Sequence, residues 1–260
     1  MSRSSVLALL SCLISGVARA EPLVADRPGV GETTSIVRPG AIQLEGGIQL
    51  ERQTSAAGPD TDTLTLPQPL LRVGVHRAME LRLAADGLIY EDRDGASDRT
   101  SGSDLELGAK LRFFEQDGWR PVIGLLVAVS FPTGDRAVTS DGIDPRGSLL
   151  VNWELDERFG LDANFGFAGP TQGVDDSDRV FEVDPSVSLE GSLTSRWSAF
   201  VEYFSTIRAS REEDEHGMDG GFTYLLSDDL QIDLSAGAGL NRAAPDFFVG
   251  FGIAWRFRLR

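Results

Sequence analysis

Large apolar residues occur at every second position through most of this sequence, and this period-two pattern is the feature that most restricts the fold. Side chains of a β-strand point alternately to opposite faces, so such a strand has one apolar face and one polar or small face. The closing stretch PDFFVGFGIAWRFRLR shows the pattern in its apolar positions: Phe247, Val249, Phe251, Ile253, Trp255 and Phe257. Helical periodicity is hard to find, so the sequence predicts an all-β protein.

The alternation divides into about twelve segments, most of them longer than the roughly five or six residues usual in soluble sheets. The predicted strands lie near residues 41–51, 64–75, 80–90, 104–114, 119–131, 147–156, 158–168, 180–193, 196–207, 217–226, 229–240 and 246–258. Short connections such as HRAM alternate with longer polar ones such as EDRDGASDRTSGS. This arrangement is typical of an up-and-down barrel with one elaborated rim, although a soluble β-sandwich could contain as many strands.

Aromatic residues distinguish these two architectures. They share the apolar parity of their strands and form two predicted membrane girdles: Trp119, Trp153, Trp197 and Trp255 near the short turns, and Phe131, Phe167, Phe181 and Phe247 near the long loops. Aromatic rings on both sides of an aliphatic band are typical of transmembrane barrels, in which the apolar face contacts lipid. A soluble sandwich gives no comparable reason for two aromatic rims. We therefore predict a transmembrane up-and-down antiparallel β-barrel of about twelve strands.

The beginning of the chain has the features of an export signal. Arg3 precedes an apolar stretch, and Ala18-Arg19-Ala20 has the small-residue pattern of a cleavage site, so residues 1–20 are predicted to be a signal peptide. Residues 21–38 are predicted to form an N-terminal periplasmic segment, and residues 39–260 the barrel. The expected location is the outer membrane of a Gram-negative cell.

The composition restricts the function. The net charge of −16 becomes −18 once Arg3 and Arg19 are removed with the signal peptide, and so acidic a chain is not expected to bind nucleic acid. No GxSxG or GxxxxGK[ST] motif is present. His216 lies beside carboxylates at one rim, but a single histidine in an acidic stretch is more typical of a solvated loop than of acid–base catalysis. We predict no catalytic residue, no metal and no cofactor.

Charged residues occupy many positions of the inward parity. The predicted pore-lining residues are Glu45, Glu51, Arg72, Arg82, Asp86, Glu106, Lys110, Arg112, Glu154, Asp162, Asp184, Glu190, Glu202, Asp219, Asp233 and Arg256. Carboxylates outnumber cations by eleven to five, which predicts a preference for cations over anions. These charges could fill a narrow barrel as ion pairs or line a polar conduit, and both interpretations can hold in part.

Four stretches, in order along the chain, resemble a known family. They are DRPGVGETTSIVRPGAIQLEGGIQLE, GSDLELGAKLRFF, VSFPTGD and DFFVGFGIAWRF. They resemble the phenol-degradation meta-pathway (MetA-pathway) family, whose members are outer-membrane barrels often described as transporters. The resemblance covers most of the mature chain except the loops. It implies a barrel and the passage of small organic solutes, including aromatic ones, and it supplies no catalytic residues.

The function expected from these features is that of an outer-membrane channel or transporter for passive passage of small organic solutes. About eight strands are filled by their own side chains and about 16–18 leave an open channel, so twelve strands suggest a slim or gated pore. The alternative is a non-conducting structural or surface-interaction barrel with acidic external loops. The expected partners are outer-membrane lipid and lipopolysaccharide, the barrel-insertion machinery and the small organic solutes.

Overall fold

The structure, a computed structural model, describes residues 21–54, 58–171, 179–209 and 213–259. The predicted signal peptide and Arg260, the last residue of the predicted barrel, lie outside the described residues. In the described part of the chain, no helix is long and apolar enough to cross a membrane.

Strands account for all the regular secondary structure of the described residues. They are β1 Ala41–Gln53, β2 Thr61–Pro67, β3 Leu70–His76, β4 Met79–Ala84, β5 Gly87–Arg93, β6 Arg99–Gly102, β7 Leu105–Phe114, β8 Val122–Phe131, β9 Asp144–Glu154, β10 Phe159–Ala168, β11 Glu182–Ser192, β12 Trp197–Arg208, β13 Glu215–Ser227, β14 Leu230–Gly239 and β15 Phe247–Arg258.

These strands form one closed antiparallel barrel of twelve strands, which confirms the predicted fold class. Closure comes from β1, which pairs with β15 from Ala41 opposite Arg258 to Arg52 opposite Phe247. The other edge of β1 pairs with β3 and then with β2. A closed barrel leaves no sheet edge unpaired, as a membrane interior requires.

Three of the twelve barrel strands are each interrupted once, as β2–β3, β4–β5 and β6–β7. The predicted strands 64–75 and 80–90 correspond to the first two pairs, whereas the predicted strand 104–114 corresponds to β7, and β6 lies in a stretch predicted as a loop. The interruptions lie side by side and are bridged by hydrogen bonds. Ser103 Oγ accepts hydrogen bonds from the amides of Asp86 (2.8 Å) and Gly87 (2.9 Å), and the Gln68 amide donates to Asp86 O (3.2 Å). These local bonds replace the regular ladder where Pro67, which has no N–H, ends β2.

Short and long connections alternate around the barrel, as predicted. The short-turn rim consists of residues 77–78, 115–121, 155–158, 193–196 and 228–229. The long-loop rim consists of residues 54–60, 94–98, 132–143, 169–181, 209–214 and 240–246, parts of which lie outside the described residues.

The outer surface of the barrel is apolar. In β15, the outward side chains of Phe251 and Ile253 are 51% and 46% exposed, whereas inward Ala254 is fully buried. The same alternation of exposed and buried positions recurs in most of the strands. Because no protein covers this apolar face, its natural environment is the hydrocarbon of a bilayer.

The chain from Glu21 to Arg38, here called the N-terminal segment, lies inside the barrel. It enters at the short-turn rim, where the Leu23 amide donates to Asp228 O (2.8 Å), and it contacts Glu202 halfway along β12. It then returns towards the same rim, where the Val37 amide donates to Glu80 Oε2 (2.7 Å). Residues 21–38, predicted as an N-terminal periplasmic segment, thus contact the inner wall of the barrel, and their assignment to the periplasm remains a prediction. The segment is rich in Pro, Gly and charge, which is typical of a solvated loop, and its partners are distant in sequence.

Candidate functional site in the barrel lumen

Three cations on neighbouring strands surround one carboxylate of the N-terminal segment. Lys110 Nζ lies 2.7 and 2.8 Å from the two Asp26 carboxylate oxygens, Arg82 donates to Asp26 Oδ2, and Arg72 Nη1 lies 3.4 Å from the same oxygen. The strands bring these cations together because Arg72 lies opposite Arg82 in the β3–β4 ladder, and Arg82 lies next to Lys110 across the β4–β7 ladder. Two wall carboxylates, Glu45 and Glu80, complete this group. We call it the lumenal ion-pair cluster.

The cluster is almost fully buried, so its charges must compensate each other. Arg72 binds Glu80 with two hydrogen bonds, at 2.8 and 3.0 Å, and Glu45 Oε1 at 2.9 Å. Burial acts to raise the pKa of the Asp26 carboxyl, but the nearby cations Arg72, Lys110 and Arg82 outweigh it and hold that pKa well below its ordinary value. Asp26 is therefore a carboxylate in this structure.

A second anchor of the N-terminal segment is Arg27. Its guanidinium lies over the backbones of Gly47 and Gly252, which are paired residues of β1 and β15. A Cβ atom at Gly252 would fall 2.6 Å from Arg27 Cζ, and one at Gly47 would fall 2.5 Å from it. Arg27 Nη2 also reaches Asp233 Oδ1 at 3.4 Å. The small inward residues of β15 thus make room for a side chain of the segment.

The third anchor uses backbone amides. The amides of Val30 and Gly31 donate to the two carboxylate oxygens of Glu202, at 2.8 and 2.9 Å. A Cβ at Gly31 would lie 2.6 Å from both Glu202 Oε1 and Ser186 Oγ. Only glycine allows the backbone to approach the wall this closely.

The wall that faces this third anchor is acidic. Strands β10 to β13 contribute Asp162, Glu190, Glu202 and Asp219. Among the described residues, neither carboxylate oxygen of the buried Asp219 has a hydrogen-bond partner. The lumen therefore has one wall of paired cations and carboxylates and another with surplus negative charge.

Two lumenal cavities lie on opposite sides of the N-terminal segment. The larger, of about 770 Å³, extends to the short-turn rim at residues 193–196 and is lined by Glu190, Glu202 and Phe200. The smaller, of about 290 Å³, lies towards the long-loop rim and is lined by Phe204 and Phe248. Both cavities contact Arg27, Pro28 and Gly29, so these three residues form the partition between them.

The predicted pore-lining residues differ in burial. Nine are buried: Glu45, Arg72, Arg82, Lys110, Asp162, Glu202, Asp219, Asp233 and Arg256. Glu51, Glu106, Arg112 and Asp184 are half-buried, and Asp86, Glu154 and Glu190 are exposed. Asp86 lies between β4 and β5 and not within a strand. Several of the buried residues contact the N-terminal segment, and whether solutes pass these positions remains a prediction.

The predicted girdle residues lie at or near strand ends. Trp119 was predicted to begin the strand 119–131, but the observed strand β8 begins at Val122 and Trp119 lies in the preceding turn. Its side chain is 90% exposed. Trp153 Nε1 donates to Trp119 O at 3.2 Å. Of the other girdle residues, Trp153 and Phe131 are half-buried, and the exposed ones are Trp197, Trp255, Phe167, Phe181 and Phe247. Their position in the membrane interface remains a prediction.

Several residues of the lumen were not predicted. Glu80 has the parity of Arg82 in β4, so the alternation could have revealed it. Phe200, Phe204 and Phe248 have the inward parity of their strands, and the same signal was available. Asp26 gives no such signal, because it precedes the first strand and meets its partners only through the tertiary fold.

His216, the histidine considered for acid–base catalysis, contacts a tyrosine hydroxyl. His216 Nδ1 lies 2.9 Å from the Tyr203 hydroxyl. Within the described ranges, no group of three or more His, Cys, Asp or Glu side chains is placed to hold a metal ion.

A closed antiparallel barrel of twelve strands with an apolar outer surface is an outer-membrane β-barrel protein. The chain belongs to the family described as "Putative MetA-pathway of phenol degradation", whose family model matches residues 25–257. This confirms the resemblance found in the sequence, and the matched range begins inside the N-terminal segment.

Solved structures with a similar fold include outer-membrane channels and porins. The COG4313 outer-membrane channel from Pseudomonas putida F1 is 14% identical, with a TM-score of 0.68 over 89% of this chain and 99% of that chain. The NanC porin is 8% identical (TM-score 0.53; 82% and 98% covered), and the KdgM porin is 10% identical (TM-score 0.52; 84% and 99% covered). Identities this low establish the fold alone. The comparison with curated proteins gives no significant match.

Proposed function

We propose that this protein is an outer-membrane channel for passive passage of small organic solutes, and that the N-terminal segment closes the channel in the present state. The observation that carries the proposal is the partition: one cavity reaches each rim, and Arg27, Pro28 and Gly29 separate the two. The similar barrels include an outer-membrane channel and two porins, which supports the same function.

The partition is anchored by interactions that can break without unfolding the barrel. Arg27 is held by one long ion pair to Asp233 and a 3.3 Å hydrogen bond to Gln68 Oε1. Val30 and Gly31 are held by hydrogen bonds to Glu202. The strand ladders do not include the segment, so its release leaves barrel closure intact.

The side chains around the partition favour aromatic solutes that are neutral or cationic. Phe204 and Phe248 face the smaller cavity with ring centroids 6.2 Å apart, and Phe200 faces the larger one. Aromatic faces bind other rings and organic cations. The carboxylates Glu190 and Glu202 disfavour anions in the larger cavity.

Planar-bilayer conductance tests the proposal. We expect the unmodified protein to show small or intermittent conductance and a variant lacking residues 24–36 to show larger, sustained conductance. Folding of both proteins is verified by the heat-dependent mobility shift of closed barrels in gel electrophoresis. If both fold and neither conducts, the channel function is wrong. The buried ion pairs of the lumen would then support the structural barrel predicted as the alternative.

A further inference from the structure

Asp26 occupies its place in the lumen in the manner of a bound anion. Both carboxylate oxygens contact Lys110 Nζ, and Asp26 Oδ2 also contacts Arg82 and Arg72. All three cations belong to barrel strands, whereas Asp26 belongs to a segment outside the strand ladders. The contact therefore joins a fixed basic site to a detachable carboxylate.

The charge balance of the wall requires such an occupant. Without the N-terminal segment, the cluster consists of the cations Arg72, Arg82 and Lys110 and the carboxylates Glu45 and Glu80, so one positive charge is unbalanced. This unbalanced positive charge on the lumen wall attracts a carboxylate from any source, because opposite charges at hydrogen-bonding distance stabilise each other.

We propose that Arg72, Arg82 and Lys110 form a binding site for a small carboxylate, that Asp26 occupies this site in the present state, and that a carboxylate-bearing solute competes with Asp26 and releases the N-terminal segment. This inference rests on the proposed channel function, and it adds the chemical class of a ligand that opens the channel.

A solute can reach Asp26 from the short-turn rim, whereas Arg72, Arg82 and Lys110 do not line the larger cavity and become accessible only as Asp26 leaves. The larger cavity contacts Asp26, Arg27 and Thr33 and extends to the short-turn rim. The same cavity is lined by Asp162 and Glu202, which repel anions. The carboxylate of the solute therefore competes only weakly with Asp26 and acts at high solute concentration.

Thiol labelling of a buried position reports release of the segment without requiring conductance. Ala25 is 5% exposed and adjoins Asp26, so a cysteine there reacts with a charged methanethiosulfonate reagent only when the segment leaves. The only cysteine of the sequence, Cys12, lies in the predicted signal peptide, so the mature chain is expected to bring no competing thiol. Benzoate is the probe, and benzamide is its uncharged control of similar shape. Exposed Ser195→Cys serves as the control position.

We expect benzoate to raise the labelling rate of Ala25→Cys about fivefold or more, a ratio typical of coupled binding sites. Benzamide should not change it, and Ser195→Cys should label equally in all conditions. An unchanged rate at saturating benzoate, or an equal increase with benzamide, overturns the proposal. Because labelling does not depend on ion flow, this outcome is independent of whether the protein conducts.

Two further variants test the site itself. Lys110→Gln should abolish the effect of benzoate on labelling, since it removes the cation that contacts both Asp26 carboxylate oxygens; a persistent effect in folded protein contradicts the assignment. Asp26→Asn should bind radiolabelled benzoate about fivefold or more tightly than the unmodified protein, because the competing carboxylate is gone. Equal binding of benzoate by Asp26→Asn and the unmodified protein in equilibrium dialysis also contradicts the assignment.

Discussion

The guanidinium of Arg27 lies against the backbone of Gly252, so close that a Cβ at this glycine would fall 2.6 Å from Arg27 Cζ. This contact explains the composition of the last strand. Its outward residues are large and apolar because they face lipid, whereas inward Gly252 has no side chain because the Arg27 guanidinium lies above it. The absence of a side chain at Gly252 thus helps to hold the N-terminal segment in the lumen.

Replacement of Gly252 should loosen the closed state. In Gly252→Val, the new side chain occupies the place of the Arg27 guanidinium, which must move, and we expect conductance to increase while the barrel still folds. Gly160→Ala is the matched control, because a Cβ at this β10 glycine meets its nearest atom at an ordinary 3.7 Å. Equal conductance of Gly252→Val, Gly160→Ala and the unmodified protein would show that the Arg27 contact does not hold the segment.

The lipid-facing assignment can be tested by placing a cation on each face of the wall. Val127 is an outward residue of β8 and is 42% exposed, so Val127→Arg should hinder insertion at a cost of about 2–4 kcal/mol. Ser192→Arg places the same side chain at an exposed inward position beside the larger cavity and should be tolerated. The yield of heat-modifiable barrel in refolding measures both. Similar losses in the two variants would argue against the inside–outside assignment.

The N-terminal segment should remain in the lumen at mildly acidic pH. Because the pKa of Asp26 in the lumen lies below its ordinary value, its ion pairs stabilise the closed state from about pH 4 to neutral pH, and this stabilisation is lost as the pH falls through the lowered pKa. Conductance should stay constant between about pH 7 and pH 5 and rise only below about pH 4. Asp26→Asn should lack this acid transition, which separates Asp26 from the neighbouring Glu45 and Glu80. An increase between pH 7 and pH 5 would contradict the assignment.

An open channel should prefer cations to anions. Glu190 is exposed to the larger cavity, and Asp162 lines the same wall, so the variant Glu190→Gln with Asp162→Asn should reduce the preference. The reduction should be greater at low salt, where screening is weak. Asp117→Asn, in an exposed turn of the short-turn rim, is the control and should leave the reversal potential unchanged. Anion preference in the unmodified protein would show that the inward carboxylates do not determine selectivity.

The short-turn rim should face the periplasm, and the long-loop rim the outside of the cell. An epitope tag at Ser97, in the connection between β5 and β6, should bind antibody on intact cells. A tag at Asp117, between β7 and β8, should bind only after the outer membrane is permeabilised. The reverse accessibility of the two tags would invert the orientation and place the larger cavity at the cell surface.

The alternation of apolar and polar residues determined the barrel, because side chains of a strand can face lipid or lumen only in a strict period of two. It correctly indicated strands such as β15, the alternation of short and long connections, and many of the inward charges. It also contained the signal for Glu80 and Phe248, which share the inward parity of β4 and β15. The interruptions of β2–β3, β4–β5 and β6–β7 were less visible, since each depends on hydrogen bonds between neighbouring strands.

The tertiary structure alone decided what fills the lumen. Asp26 and Arg27 lie in a stretch without periodicity, and their partners, such as Lys110 and Asp233, follow far along the chain. No local pattern links such residues, because the attraction between them exists only after closure brings the strands around a common interior. The sequence thus determined the barrel wall of this protein, because each strand must separate lipid from lumen and its side chains alternate accordingly. The fold decided that the wall closes around the protein's own N-terminal segment, since Arg72, Arg82 and Lys110 outnumber the wall carboxylates Glu45 and Glu80, and Asp26 supplies the third negative charge.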